Sequence, residues 1–214
     1  MNPFATPERN RWSAGQALGA DDLSREQDYH RAATARTAWA AMGAGVVAGL
    51  EVTVDGNGDV SVGPGLAIDA LGREIVVPSG AGLSPVPEPP FTVWIAHADV
   101  PGRQIPGPDG PEASTVREEW TLVAVAGVSA APAGAPPGDV ADLVRAGDVA
   151  GALALVAAHR PPPSAAAGVP LGSVVRDTAG APVLDTCSRL TAVTAASLLP
   201  LIAALAEIVR ERPR

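Results

Sequence analysis

The segment spanning residues 45–78 constrains the fold most, because it indicates a series of short β-strands joined by tight turns. Apolar and polar residues alternate over residues 50–55, which is the period of a half-buried strand, and the alternation resumes at Val60. Between the two runs, Asn57-Gly58 supplies residues that tolerate positive φ and predicts a two-residue hairpin. The segment therefore predicts a compact β-meander, and it lacks the cluster of titratable side chains typical of an active site.

Composition excludes several classes of protein. The chain has 214 residues and a net charge of −8, and its 15 basic residues form no basic run. Nucleic-acid binding needs clustered positive charge, so we expect no nucleic-acid partner. The single cysteine, Cys187, excludes a disulfide-stapled fold, and no local signature marks it as a nucleophile. The first residues show no basic-then-apolar pattern, so we expect synthesis in the cytoplasm without a signal peptide.

Four regions follow from the pattern of elements and linkers. Residues 1–44 form an N-terminal arm and helix, 45–130 a β-rich core domain, 131–168 Pro/Ala linkers with short helices, and 169–214 a β-hairpin and C-terminal helix. Asp21-Asp22 opens the N-terminal helix, since acids suit a helix N-terminus, and Gly43 ends it. The predicted class is α+β, mainly β: an antiparallel meander or sandwich-like β domain with a helix at each end of the chain.

Two further strands and a long loop are predicted within the core domain. Residues 91–97 alternate as a strand, and residues 120–128 are apolar on both faces, which favours a central strand. Residues 101–112 are rich in Pro and Gly and predict a loop. Loops on a rigid sheet commonly bind ligands, so Trp94 and this loop are candidate ligand-binding features. They define the alternative function, a surface module that binds a glycan or a protein receptor.

The C-terminal helix is the candidate oligomer interface. Large apolar residues recur at 3-4-3 spacing, as in the seam of a coiled coil, at Leu198, Leu201, Leu205 and Ile208. A helix that faces the core of its own chain explains the spacing as well. Residues 190–206 carry no charge, but Pro200 and several polar residues argue against a membrane span, so we expect no membrane contact.

Few residues suggest chemistry. Residues 55–59 begin like a calcium loop but lack its later ligands, and a hairpin turn is the better interpretation. His97 and Asp99 could face the same way, yet a metal needs three or four ligands. Asp69 and Glu74 are the one acidic pair available for glycoside cleavage, and the alternative is that they fix a turn together with Arg73. We therefore expect no enzymatic activity, no catalytic residues, no cofactor and no metal.

Motifs in two segments carry a resemblance to a known family. The first segment has Trp12, Gly15-Gln16, Leu18, Asp22-Leu23, Glu26-Gln27 and Tyr29-His30. The second has Gly45-Val46-Val47, Gly49-Leu50-Glu51-Val52, Pro64 to Asp69 and Gly72 to Val77. This order resembles a family of bacterial proteins associated with phage-tail-like contractile particles, including extracellular contractile injection systems.

The resemblance implies a structural component of such a particle, in a baseplate, fibre-attachment or accessory position. It implies other particle subunits as partners and association of the chain with the particle, with which it could be released. Parts of tails obey three-fold or six-fold symmetry, so we expect a homo-oligomer and take a trimer as the first hypothesis.

Overall fold

The computed structural model describes residues 4–107, 110–128, 142–158, 168–186, 189 and 191–192. In these residues the elements follow the chain as α1 (Ala20–Met42), β1 (Gly45–Gly49), β2 (Val52–Val54), β3 (Val60–Val62), β4 (Gly65–Ile68), β5 (Glu74–Val77), β6 (Ala81–Leu83), β7 (Phe91–Pro101), β8 (Gln104–Gly107), β9 (Gly110–Ala113), β10 (Val116–Ala126), α2 (Val149–Ala158), β11 (Val169–Arg176) and β12 (Pro182–Asp185).

Helix α1 ends where the sequence predicts and begins at Ala20, so that Asp21 and Asp22 lie in its first turn. The Gly19 amide donates to the Asp22 carboxylate at 3.1 Å, and Gly43, with φ of +73°, donates its amide to the Trp39 carbonyl at 2.8 Å. The buried residues of α1 are the small Ala35 and Ala38, each 7% exposed. These small side chains let the helix approach the β4–β5 turn, where a Cβ atom at Gly72 would lie 1.9 Å from the Ala35 carbonyl oxygen.

The predicted meander is confirmed in its strand order, but β1 to β4 form one long hairpin that bends between two sheets, and β5 and β6 add a third antiparallel stretch beside β4 and β3. One sheet has the order β1-β4-β5 and the other β2-β3-β6, and β1-β4 and β2-β3 are successive stretches of the same antiparallel pairing. The hairpin turn is also longer than predicted: Asp55 pairs with Asp59 around three residues, with Gly58 at φ of +88°. This is the three-residue loop that places glycine in the left-handed region.

The bend depends on close contact between two backbone segments. Leu50 is fully buried with φ of +56°, and its amide donates to the Pro64 carbonyl at 3.0 Å. A Cβ atom at Gly49 would lie 2.2 Å from the Pro64 oxygen, and one at Gly65 would lie 2.4 Å from the Ala48 oxygen. Side chains at these two glycines would force the segments apart, so the bend requires glycine at both positions.

The longest sheet has the order β10-β7-β11-β12. Strands β7 and β10 pair antiparallel from Phe91 and Ala126 to Pro101 and Val116. Strand β10 is therefore an edge strand, and its predicted central position is wrong: Val123 and Val125, on one face, are 45% and 49% exposed. The predicted loop over residues 101–112 is also wrong, because β8 and β9 pair as a ribbon that continues the β7–β10 hairpin.

The remaining predictions for the chain after β10 have mixed outcomes. Strands β11 and β12 form the predicted hairpin around residues 177–180. Short helices occur within the predicted region 131–168: helical residues 142–145 and α2 are separated at Gly147, whose φ is +81°. The C-terminal helix that would carry Leu198, Leu201, Leu205 and Ile208 lies outside the described residues, as does Cys187. The four-region division stays a prediction.

One apolar core joins the three larger sheets. It is made of the buried side chains Val46, Leu50, Val52, Val60, Val62, Ala67, Ile75, Val77, Phe91, Val93, Ile95, Val169, Leu171 and Val174. The fold class is confirmed as mainly β, with antiparallel sheets and an N-terminal helix. Among the described residues, no helix combines the length and the apolar character needed to cross a membrane.

Candidate functional site

A crevice of about 320 Å³ separates α1 from one end of the long sheet. Helix α1 contributes Arg31 and Ala35 to its lining, the β4–β5 turn contributes Gly72, and the sheet contributes His97 and Glu118. The crevice is open to solvent, and it is the place where side chains capable of chemistry converge in the described structure.

Three potential ligand side chains share one face of the β7–β10 pair. His97 and Asp99 are two residues apart on β7, and Glu118 of β10 lies directly opposite Asp99. Because alternate residues of a strand point to the same face, all three side chains point toward α1. One nitrogen of His97 and one carboxylate oxygen from each acid lie within 4.8 Å of one another.

The prediction that His97 and Asp99 could face the same way is consistent with this arrangement, but Glu118 was missed. In the sequence, Glu118 stands between Arg117 and Glu119, a pattern typical of a solvated strand entrance. The strand register that brings it opposite Asp99 depends on the β8–β9 ribbon, which was predicted to be a loop. A sequence pattern that indicated paired strands over residues 101–116 would have predicted this register.

Burial and charge distinguish His97 from the two acids. The His97 side chain is 3% exposed, whereas those of Asp99 and Glu118 are 44% and 60% exposed. Its Nδ1 is buried without a hydrogen-bond partner among the described residues, and its Nε2 lies 3.8 Å from Asp99 Oδ1, beyond hydrogen-bond length. The imidazole is thus a buried polar group with unused bonding capacity at the edge of an acidic pair.

Arg31 of α1 supplies the positive charge in the crevice. Its Nη2 lies 3.3 Å from Glu118 Oε1 and 3.5 Å from Asp99 Oδ1. One Arg31 nitrogen is shared between the two carboxylates, whereas a strong arginine–carboxylate pair is bidentate and has two parallel N–H···O bonds. The Arg31 side chain is 49% exposed, so these ion pairs are of the weak, screened kind found at surfaces.

The acidic pair Asp69 and Glu74 does not form a catalytic arrangement in this structure. Asp69 is 2% exposed, and its Oδ1 accepts hydrogen bonds from the amides of Leu71 and Arg73, each at 2.9 Å. Its Oδ2 accepts from Arg73 Nε at 2.6 Å. Glu74 is exposed on β5. Asp69 and Arg73 therefore fix the turn, as the alternative interpretation predicted, whereas these hydrogen bonds do not include Glu74.

Residues 55–59 form a turn of the same kind, which explains their likeness to a calcium loop. Asp55 Oδ1 accepts from the amides of Asn57 and Asp59 at 2.8 and 2.9 Å. Asp177 does the same with the amides of Ala179 and Ala181, at 2.8 and 2.9 Å. In each turn the first aspartate is occupied by backbone amides, as in other Asx turns.

Trp94 lies away from the segment that was expected to bind ligand with it. It is half-buried on β7, between Val123 of β10 and Pro170 of β11. Pro101, where the predicted loop would begin, is seven residues further along the strand, which corresponds to roughly 23 Å. The structure therefore does not bring the two features into one site, and a ligand-binding role for Trp94 stays a prediction.

Comparison with known proteins gives similarity to solved structures only. No protein-family model and no curated protein match the chain. A chain of the type VI secretion system TssK-TssF-TssG baseplate subcomplex aligns with a TM-score of 0.48 and 14% identity, over 96% of this chain and 69% of that one. A chain of the baseplate complex from the type VI secretion system aligns with a TM-score of 0.45 and 15% identity, over 96% and 66%. These likenesses assign no family or activity to this chain.

Proposed function

We propose that the chain is a non-enzymatic structural component of a contractile, phage-tail-like injection particle, in a baseplate, fibre-attachment or accessory position. The strongest support is the position in the fold of the residues that carry the sequence resemblance. Gly49 and Gly65 stand at the bend of the long hairpin, and Asp69 and Gly72 form the turn beneath α1. Residues that match the family pattern here hold backbone segments together, as a scaffold requires.

The chemistry of the described residues favours the same proposal. An inverting or retaining glycosidase needs two free carboxyl groups across a cleft. Asp69, one of the two carboxylates nominated from the sequence, is buried and fully engaged with the amides of its own turn. Glycoside cleavage therefore has no support from this pair.

An exposed edge offers a surface for neighbouring subunits. Strand β10 ends the long sheet, and Val116, Val123 and Val125 are 58%, 45% and 49% exposed along it. An edge strand presents unpaired backbone groups, and exposed valines add apolar area to be buried. We propose this edge as one place where another particle subunit contacts the chain.

Self-association is part of the proposal, with a trimer as the expected form. The seam Leu198, Leu201, Leu205 and Ile208 would supply the contact. Sedimentation-equilibrium measurements on the full chain and on Leu201→Asp/Leu205→Asp test it. Dissociation of the variant to a folded monomer supports the seam, whereas an unchanged oligomer or a monomeric parent chain removes this part of the proposal.

The function itself is tested by sedimentation of the tagged protein from a lysate of its native host, followed by mass spectrometry of the pellet. We expect the chain in a megadalton fraction together with sheath-like and tube-like proteins. A host strain that lacks the sheath-like protein is the control, and in it the chain should leave the fast-sedimenting fraction. Recovery of the chain only as a small soluble species in the parent host contradicts the proposal.

A further inference from the structure

We propose that His97, Asp99 and Glu118 form a binding site for a divalent transition-metal ion such as Zn²⁺, in which the ion takes the place of the Arg31 guanidinium. The inference concerns the crevice between α1 and the long sheet, and it does not depend on the particle to which the chain belongs.

The three side chains supply a ligand set of the right kind and number. Zinc sites with three protein ligands and one position for water are built from imidazole nitrogens and carboxylate oxygens. Here the ligand atoms of one histidine and two acids lie within 4.8 Å of one another. Zinc–ligand bonds of about 2.0–2.2 Å put tetrahedral ligand atoms about 3.4 Å apart. Asp99 and Glu118 are half-exposed, so rotation of their side chains can close the difference.

His97 is the observation that separates this cluster from an ordinary group of surface acids. Its side chain is 97% buried, its Nε2 faces Asp99 at 3.8 Å, and its Nδ1 has no hydrogen-bond partner among the described residues. Nε2 is the nitrogen that faces the acids and is therefore the candidate ligand atom, and no hydrogen bond to Asp99 has to break when a metal ion binds it. The strand holds the imidazole in place before the ion arrives, which lowers the entropic cost of binding.

Arg31 marks where a cation is favoured. Its Nη2 lies 3.3 and 3.5 Å from the two carboxylates, and it neutralises one of their two negative charges. A divalent ion at the same point neutralises both and bonds to the imidazole as well, which a guanidinium cannot do. Because the Arg31 side chain is 49% exposed, it can turn into solvent without leaving a buried charge behind.

The nitrogen ligand sets the class of ion. Calcium and magnesium prefer sites made only of oxygen ligands, whereas imidazole suits zinc and its neighbours. We therefore expect Zn²⁺ to bind with a stoichiometry of one ion per chain and Ca²⁺ to bind at least tenfold more weakly.

Isothermal titration of the full chain with Zn²⁺ tests the site. Asp99→Asn and Glu118→Gln should each weaken binding at least tenfold, and circular dichroism should show both variants folded because both residues are half-exposed. Arg31→Gln should tighten binding several-fold, since it removes the competing cation. His97→Ala should abolish binding, but it alters a buried residue, so the two acidic variants carry the test.

Matched controls separate this site from zinc bound elsewhere. Glu119→Gln changes the neighbouring acid on the opposite face of β10, and His30→Gln changes an exposed histidine of α1 that lines the same crevice. Both should bind Zn²⁺ like the parent chain. No stoichiometric binding to the parent, equal affinity in the Asp99 and Glu118 variants, or weaker binding in Arg31→Gln would each overturn the proposal.

Discussion

Replacement of Gly72 by alanine tests how α1 is held against the β-strands, because the chain contains its own control. The turns that begin at Asp69 and Asp177 have the same backbone hydrogen bonds, and their glycines have φ of +82° at Gly72 and +84° at Gly180. Their surroundings differ. A Cβ atom at Gly72 would lie 1.9 Å from the Ala35 carbonyl oxygen of α1, whereas one at Gly180 would have no atom of the described residues within 4 Å.

The two variants should therefore differ by the cost of the clash alone. An alanine in the left-handed region costs about 1–2 kcal/mol at either turn. At Gly72 the new methyl group must also push α1 away by roughly 1 Å, and overpacking of this kind costs about 1–3 kcal/mol. We expect Gly180→Ala to lower the free energy of unfolding by about 1–2 kcal/mol and Gly72→Ala by about 2–5 kcal/mol.

Urea unfolding of both variants and the parent chain measures this difference. Hydrogen exchange of the α1 amides adds a local readout, and it should accelerate in Gly72→Ala but not in Gly180→Ala. If the two variants unfold within about 0.5 kcal/mol of each other, which is the usual spread of surface substitutions, the contact between Ala35 and Gly72 does not hold the helix.

Two further predictions concern side chains that bond to backbone. Arg189 donates from Nη1 to the Leu50 carbonyl at 2.9 Å and from Nη2 to the Gly49 carbonyl at 2.6 Å, so Arg189→Ala should cost about 2–4 kcal/mol in urea unfolding and Arg189→Lys should recover only part. An Arg189→Ala variant with the same free energy of unfolding as the parent chain would contradict the role of these bonds at the bend. Asp69→Asn should destabilise by about 2–3 kcal/mol, and the exposed Asp177→Asn by less; equal losses would show that burial and Arg73 contribute nothing.

Local signals in the sequence predicted local structure well. Three predictions rested on signals that span only a few residues of the chain. They are the ends of α1 at its acidic residues and Gly43, the strand over residues 91–97 and the hairpin around residues 177–180. The Asp-x-x-Gly turns are equally local, since each aspartate bonds amides two and four residues ahead. The sequence predicts a turn at each of the three sites, but the Asp-x-x-Gly pattern that they share was not identified from it.

Tertiary contacts account for what the sequence did not reveal. The alternation over residues 45–78 is the same for a flat meander and for one that bends at Leu50, and the bend depends on a backbone contact with Pro64. The apolar residues of β10 suggested burial on both faces, yet no strand covers its outer edge in the described sheet. The return of Arg189 to this bend spans about 140 positions, a separation at which sequence patterns carry no information.

The contacts of α1 explain why the candidate metal site is compatible with a stable helix. Helix α1 meets the β-strands through two kinds of contact: the close approach of Ala35 to Gly72, and the ion pairs of Arg31 with Asp99 and Glu118. Exposed ion pairs contribute about 0–1 kcal/mol and weaken with salt, whereas close packing is insensitive to salt. Arg31 can therefore yield its place to a metal ion while the Ala35 contact keeps α1 over the crevice. Arg31 occupies the candidate metal site, and of the two contacts of α1 its ion pairs contribute less to stability.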